Sequence, residues 1–244
     1  MMDTSNRSRT STICLYTAIT LLALLVLAPL ATRFGGLHFR TGLLATAFSF
    51  VGAALLLLCC IVLVMLKRFE TQRRTLIYAA VIALVPVYVG ASTLLGSRDK
   101  PMIHDITTNI VDPPTFQQVL ALRAETDNSL ELDKETLALQ LEAYPQLKGL
   151  SLAASSDAAR QLVLEVARDM GWEIHESESR PHSIEATATT FWFGFKDDVV
   201  IRLRPANSNV HIDLRSASRV GLGDLGANAA RIEEFSNRLE KLSP

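Results

Sequence analysis

Cysteine is scarce in this chain of 244 residues, which has three, at Cys14, Cys59 and Cys60. The hydrophilic part of the chain, after Ser97, has no thiol and cannot form disulfides, which excludes a disulfide-stabilised scaffold there. Its four histidines show no metal-binding spacing such as H-x-x-x-H. We therefore expect neither a metal nor a cofactor.

Charge is absent from three long stretches, residues 13–32, 41–66 and 75–97. In helical form each covers roughly 30 Å, the thickness of the hydrocarbon core of a bilayer. Lipid offers no hydrogen-bond partner to the backbone, so the stretches predict three transmembrane helices, at about 13–32, 43–66 and 75–96. Three buried helices of a soluble core are a poorer interpretation, because such helices normally keep a polar face.

The predicted spans lack every feature of a transport pathway, because no ionisable residue lies inside them. Residues 1–97 therefore form a membrane anchor. Pro29 and Pro86 predict kinks rather than breaks, since neighbouring helices can satisfy the freed backbone groups. The first span resembles a signal peptide in following Arg7 and Arg9, but it is long and has a poor cleavage site, so we expect an uncleaved helix.

The distribution of Lys and Arg around the spans predicts the orientation. One side of the membrane holds six of these residues: Arg7, Arg9, Lys67, Arg68, Arg73 and Arg74. The other side holds four: Arg33, Arg40, Arg98 and Lys100. We expect a multi-pass protein of the cell inner membrane, with the N-terminus in the cytoplasm and the C-terminal domain in the periplasm.

Residues 98–244 are acidic, with sixteen Lys or Arg against twenty-three Asp or Glu. An acidic domain repels phosphate backbones, which argues against nucleic acid as a partner. The length suits one domain with its own core. Its helices are predicted from Pro114 to about Arg123, from an Asp133 cap to before Pro145, from a Ser155 or Ser156 cap to Gly171, and from near Asp224 with Leu225 on the apolar face.

Strands are predicted where the apolar period falls to two, at residues 172–178, 184–193, 199–204 and 210–216. A further extended stretch covers residues 102–111. The short connections 194–198 and 205–209 predict an antiparallel meander of four strands packed against helices. The expected fold class is therefore three transmembrane helices followed by an α+β domain.

Long strings in this half resemble the domain-of-unknown-function 1499 family. They are HDITTNIVDPP from His104, the Tyr144-Pro145 and Gly171-Trp172 pairs, IEATATTFWFGFKDDVVIR from Ile184, and DLRSASRVGLGDLGANAARI from Asp213. The resemblance covers nearly all of residues 98–244 and implies a membrane-anchored bacterial member. It brings no activity, substrate or catalytic residue.

The sequence Gly221-Leu-Gly-Asp-Leu-Gly226 matches the glycine pattern of dinucleotide-binding proteins. The preceding strands are antiparallel and only eighteen residues follow, so a βαβ unit is not available. A glycine-rich turn in which Asp224 caps the last helix is the simpler interpretation. An anion site at that helix N-terminus, with Arg215 and Arg219 nearby, is a third.

The polar faces of the last two strands carry five charged or ionisable side chains, Arg202, Arg204, His211, Asp213 and Arg215. Cross-strand Arg–Asp pairs on a solvated face are one interpretation. The other is a binding patch for an anion or a partner, formed by these residues with Arg219 and Asp224. His211 and Asp213 with Ser216 or Ser218 also suggest a hydrolytic triad, although the nucleophile motif G-x-S-x-G is absent.

The aromatic run Phe191, Trp192, Phe193 and Phe195 is expected to contribute to the core, with Trp192 or Phe195 left for a bilayer or a partner. The favoured function is a non-enzymatic envelope protein whose exported domain binds a partner protein or an anionic envelope component. An envelope hydrolase and a structural subunit of a membrane complex are the alternatives.

Overall fold

A computed structural model describes residues 4–175, 177 and 179–242. The chain divides into two compact units, one formed by residues 1–98 with residues 191–194, and a second formed by residues 99–190 and 195–244.

The helical unit has three helices, α1 (Thr4–Arg33), α2 (Phe39–Met65) and α3 (Arg73–Ser97), with a 3₁₀ helix at Lys67–Gln72. All three are long and apolar enough to cross a membrane, which confirms the three predicted spans and makes this a membrane-anchored protein. Pro29 and Pro86 lie inside α1 and α3, so neither proline ends its helix.

Small residues bring the three helices together. Ser49 and Ala53 are fully buried, and the Ser49 hydroxyl donates to the Leu21 carbonyl oxygen at 2.6 Å. At Gly42 an added Cβ would lie 1.9 Å from Thr32 Oγ1, so this approach of α1 and α2 requires glycine. Small side chains thus allow close packing where lipid provides no hydrophobic driving force.

The second unit contains a six-stranded antiparallel sheet. Its strands are β1 (Asp105–Thr107), β2 (Leu150–Leu152), β3 (Glu173–His175), β4 (Ser183–Thr189), β5 (Lys196–Ala206) and β6 (Asn209–Ser218). Strands β3 to β6 form the predicted meander, while β1 and β2 both pair with the outer edge of β6. The prediction of four strands was therefore low by two: β1 lies within the extended stretch predicted over residues 102–111, and β2 is too short to show an alternating pattern.

The helices of this unit are α4 (Lys134–Ala143), α5 (Ser156–Asp169) and α6 (Ala227–Leu242). Asp133 and Ser155 cap α4 and α5 as predicted, accepting from the backbone N–H groups of Thr136 and Ala158. Gly171, at φ +71°, follows the end of α5.

One face of the sheet carries the core. Val199, Ile201, Leu203, Val210, Ile212 and Leu214 alternate toward it and are all buried, as predicted. The apolar side chains of the strands and of the helices pack together in one core. In this core Trp172 stacks on Phe235 of α6, with ring centroids 5.3 Å apart.

Three predicted elements differ from the structure. Residues 114–123 contain only a 3₁₀ turn at Val119–Leu122, because the backbone N–H groups of Gln117 and Val119 donate to the Glu185 carboxylate instead of continuing a helix. The strand predicted to residue 193 ends at Thr189. Leu225 precedes α6 and is exposed. Residues 176 and 178, at the end of the strand predicted over 172–178, lie outside the described residues.

Candidate functional site

The sheet face opposite the core is a ladder of polar side chains. The register places Arg202 opposite Asp213, Arg204 opposite His211, and Arg215 opposite Val200. Alternation along β5 and β6 therefore puts five of the predicted site residues, Arg202, Arg204, His211, Asp213 and Arg215, on one face.

Part of this face is covered by residues 112–132, here called the covering segment. Phe116 and Val119 of this segment pack with Val200 and Ala217 in a small buried cluster. This face of the sheet is therefore only partly exposed to solvent, because the covering segment buries the side chains beneath it.

Arg215 lies under the covering segment and is only 5% exposed. Its guanidinium makes a bidentate pair with Asp105, with Nε to Oδ1 at 3.0 Å and Nη2 to Oδ2 at 2.7 Å, and it also donates to the carbonyl oxygens of Pro114 and Leu130. Burial raises the pKa of the Asp105 carboxyl above its ordinary value, although Arg215 acts to lower it. Arg215 thus attaches the covering segment to β1 and β6.

A second buried ion group centres on Asp198, which is fully buried. Its carboxylate accepts from Arg123 Nη1 at 2.5 Å, from Arg219 Nη2 at 2.8 Å and from the Thr187 hydroxyl at 3.0 Å. Arg219 Nη1 also donates to the Leu122 carbonyl oxygen. Arg123 and Arg219 therefore share one carboxylate and connect the covering segment to the sheet.

The remainder of the polar face is open and forms a cleft of about 400 Å³. Its described lining residues include four basic or ionisable side chains, Arg180, His182, Arg202 and Arg204, and no carboxylate. The other lining residues are Pro114, Thr115, Ser179, Pro181, Ser183 and Leu203. Basic side chains therefore line the cleft, while the carboxylates that pair with them, Asp112, Asp213 and Glu185, are not among its lining residues.

Each arginine of the cleft keeps donor capacity. Arg204 is 48% exposed and pairs with Asp213, with Nε to Oδ2 at 2.9 Å. Arg202 contacts the same carboxylate through Nη2 at 2.9 Å and Asp112 through Nη1 at 3.0 Å. Its Nε is buried and has no hydrogen-bond partner among the described residues. Arg180 makes one long contact with Glu185, at 3.4 Å.

The predicted binding residues therefore lie in three places: at the cleft, beneath the covering segment, and at the N-terminus of α6. Arg202 and Arg204 line the cleft, with Asp213 between their guanidinium groups and His211 exposed on the adjoining strand. Arg215 and Arg219 are buried beneath the covering segment. The binding role of these residues stays a prediction.

Asp224, the last residue of the predicted set, caps α6. It accepts from the backbone N–H of Gly226 at 2.8 Å and of Asn228 at 2.6 Å. Its carboxylate therefore occupies the N–H groups that an anion at this helix end would need.

Sequence reasoning missed Arg180 and His182. They lie in the loop before β4, where the Leu203 N–H donates to the His182 carbonyl oxygen at 2.8 Å and holds the loop beside β5. Neither spacing nor periodicity connects residues 180–182 with 202–204. The only sequence signal is the adjacent pair of basic side chains around Pro181.

The serines considered for a triad point away from His211. Ser216 and Ser218 are buried, and their hydroxyls bond to Asn228 beside α6, with Ser216 Oγ donating to Asn228 Oδ1 at 2.6 Å. Asp213 contacts Arg202, Arg204 and Asn109. No group of three His, Cys, Asp or Glu suited to a metal occurs within residues 4–175, 177 and 179–242.

A comparison with family models matches residues 105–239 to a family described as "Protein of unknown function (DUF1499)". The curated proteins searched include no match to the chain. The matched region spans β1 to α6 and includes both the cleft and the covering segment. Since the match covers more than half of the 244 residues, the chain belongs to the DUF1499 family.

Proposed function

We propose that this protein is a multi-pass inner-membrane protein that holds an anion-binding α+β domain in the periplasm. The excess of Lys and Arg near the N-terminus and between α2 and α3 supports a cytoplasmic location for those segments. Three spans then put the domain on the opposite side.

The orientation is tested with fusions at the C-terminus. An alkaline phosphatase fusion after Leu242 is expected to be active and a green fluorescent protein fusion dark, because the first reporter folds only after export and the second only in the cytoplasm. Fusions after Gln72, in the loop between α2 and α3, are expected to give the opposite pattern and serve as the control. A fluorescent C-terminal fusion would contradict the orientation.

The observation that carries the binding proposal is the arginine-lined cleft. Guanidinium groups bind carboxylates and phosphates through paired N–H donors, and a volume of about 400 Å³ lies in the range of small-molecule sites. Arg202 and Arg204 share the Asp213 carboxylate and Arg202 also pairs with Asp112, so a bound anion would accept from the N–H groups that these contacts leave. The expected ligand is an anionic envelope component; acidic side chains of a partner protein present the same group.

Binding is tested on the full chain in detergent micelles, with pyrophosphate and citrate as probes at constant ionic strength. A ligand at one hundred times its Kd stabilises the folded protein by about 2.7 kcal/mol, so the unfolding midpoint is expected to rise. The double variant Arg180→Gln/Arg204→Gln is expected to lose this rise. Arg202 is left in place because it also contacts the Asp112 carbonyl oxygen of the covering segment.

Arg238→Gln is the matched control, since Arg238 is an exposed arginine of α6 that pairs with Glu234, one turn away on the same helix. It is expected to keep the wild-type rise. The proposal fails if neither probe stabilises the wild type, or if the double variant responds as strongly as the wild type.

A further inference from the structure

Among the exposed large apolar side chains of the C-terminal half, five lie in three segments that the sheet brings together, whereas others such as Val111 and Leu120 lie elsewhere. Met102 is 68% exposed, Phe191 and Trp192 are 72% and 52% exposed, and Leu222 and Leu225 are 79% and 57% exposed. Exposed aromatic and aliphatic side chains that gather in one region mark an interaction surface.

The sheet register brings these three segments to the same end of the sheet. The turn with Phe191 and Trp192 joins the end of β4 to the start of β5 and is closed by the Thr190 N–H bonding to the Phe195 carbonyl oxygen at 2.8 Å. The Arg219 N–H donates to the Lys196 carbonyl oxygen, so β6 ends beside this turn.

The Met102 segment reaches the same end because β1 begins there. The Ser218 N–H donates to the His104 carbonyl oxygen, and Met102 packs on Gly223, between the two leucines in sequence. A Cβ at Gly223 would lie 3.2 Å from Met102 Cα, so glycine permits this approach.

Leu225 adopts φ +56°, a left-handed conformation that is unfavourable for a leucine. Gly226, the next residue, also has positive φ, and Asp224 fixes the turn through its two backbone hydrogen bonds. The turn thus holds a large apolar side chain in solvent at a conformational cost, which points to a role for that side chain outside the core.

This end of the sheet is also where the chain arrives from α3. Met102 follows Ser97, the last residue of α3, by five positions, and five extended residues reach no more than about 17 Å. The exposed Lys100 and Lys196 add positive charge beside the apolar side chains. Aromatic, aliphatic and lysine side chains together are typical of segments at the headgroup level of a bilayer.

We propose that this end of the sheet, with Met102, Phe191, Trp192, Leu222 and Leu225, inserts into the interface of the lipid bilayer. The cleft is lined by Ser183 and residues 202–204, at the opposite ends of β4 and β5, and is therefore separate from this surface. The inference rests on the membrane anchor and does not depend on anion binding.

The test uses the full chain reconstituted in vesicles of phosphatidylcholine and phosphatidylglycerol, with or without bromine on the acyl chains near the headgroup. The chain has two tryptophans, and Trp172→Phe leaves Trp192 as the only tryptophan, which is excited selectively over the four tyrosines. Its emission is expected to lose most of its intensity in brominated vesicles and to resist quenching by aqueous iodide.

Two controls accompany this variant. Trp192→Phe leaves Trp172, which is 8% exposed in the core, and is expected to show no response to bromine. Val111→Trp in a chain without the two native tryptophans places a reporter at a site that is 92% exposed and lies beyond the opposite end of β1. That reporter is expected to be quenched by iodide and not by bromine.

Trp192 quenched by iodide and not by bromine would overturn the proposal. Protection from both quenchers would also overturn it, since protein rather than lipid would then cover the surface. If Trp172→Phe fails to fold, the Trp192 signal is obtained by subtracting the emission of Trp192→Phe from that of the wild type.

Discussion

Replacing Asp198 with alanine is expected to destabilise the sheet unit by about 3–5 kcal/mol. The substitution removes the carboxylate shared by Arg123 and Arg219 and leaves two buried guanidinium groups without their counter-charge. The loss is measured by urea unfolding of the full chain in micelles, followed by the fluorescence of Trp172 in a Trp192→Phe background.

The matched control for Asp198 is Glu234→Gln, which breaks an exposed ion pair with Arg238 on α6. Exposed pairs contribute little, so the expected change is below about 1 kcal/mol. A loss at Asp198→Ala no larger than that of the control would show that the Asp198 group does not hold the covering segment.

Replacing Arg215 with methionine is expected to cost about 3–5 kcal/mol at neutral pH, because Asp105 then remains buried and charged without its partner. The loss depends on pH. Burial already raises the pKa of Asp105, and removal of Arg215 raises it further. A carboxyl whose pKa is higher in the folded protein favours folding while it is protonated, and this contribution disappears as the pH rises through the folded-state pKa.

The deficit of Arg215→Met relative to the wild type is therefore expected to be smallest near the ordinary aspartate pKa of about 3.9 and to grow toward neutral pH. The double variant Asp105→Asn/Arg215→Met removes the buried charge and is expected to recover part of the stability and to lose this pH dependence. A deficit that is equal at acidic and neutral pH would contradict the assignment of the loss to Asp105.

Features encoded by neighbouring residues are predictable from the sequence. The three apolar helices need only length and the absence of charge. The alternating pattern of Val199, Ile201 and Leu203 shows which face of the strand is buried, because side chains alternate between faces with a period of two. Ser155 and Asp133 are recognisable as helix caps because each accepts a hydrogen bond from a residue three positions away.

The covering segment is not predictable in the same way. Arg215 resembles any surface arginine in sequence, since its partner Asp105 is 110 positions away. Pro114 favours the start of a helix by local rules, but the distant Glu185 carboxylate takes the N–H groups of Gln117 and Val119. Long-range side-chain bonds thus decide where the arginines lie and whether the segment is helical.

The same distance between partners limits the site prediction. The strands alone place Arg202 and Arg204 on the polar face, and that part of the expectation agrees with the cleft lining. Arg180 and His182 join them only through the path of the loop before β4. The burial of Arg215 and Arg219 depends on a segment nearly a hundred residues earlier in the chain.

Strand β6 pairs with three other strands, and two of them, β1 and β2, are made long before it. During synthesis β1 and β2 have no partner until residues 209–218 have emerged, so the sheet closes only when nearly the whole polypeptide has left the ribosome. The three membrane helices precede this step entirely. If the domain lies in the periplasm, as proposed, the hydrophilic half is expected to cross the bilayer as an unfolded chain and to fold there, already attached to the membrane helices.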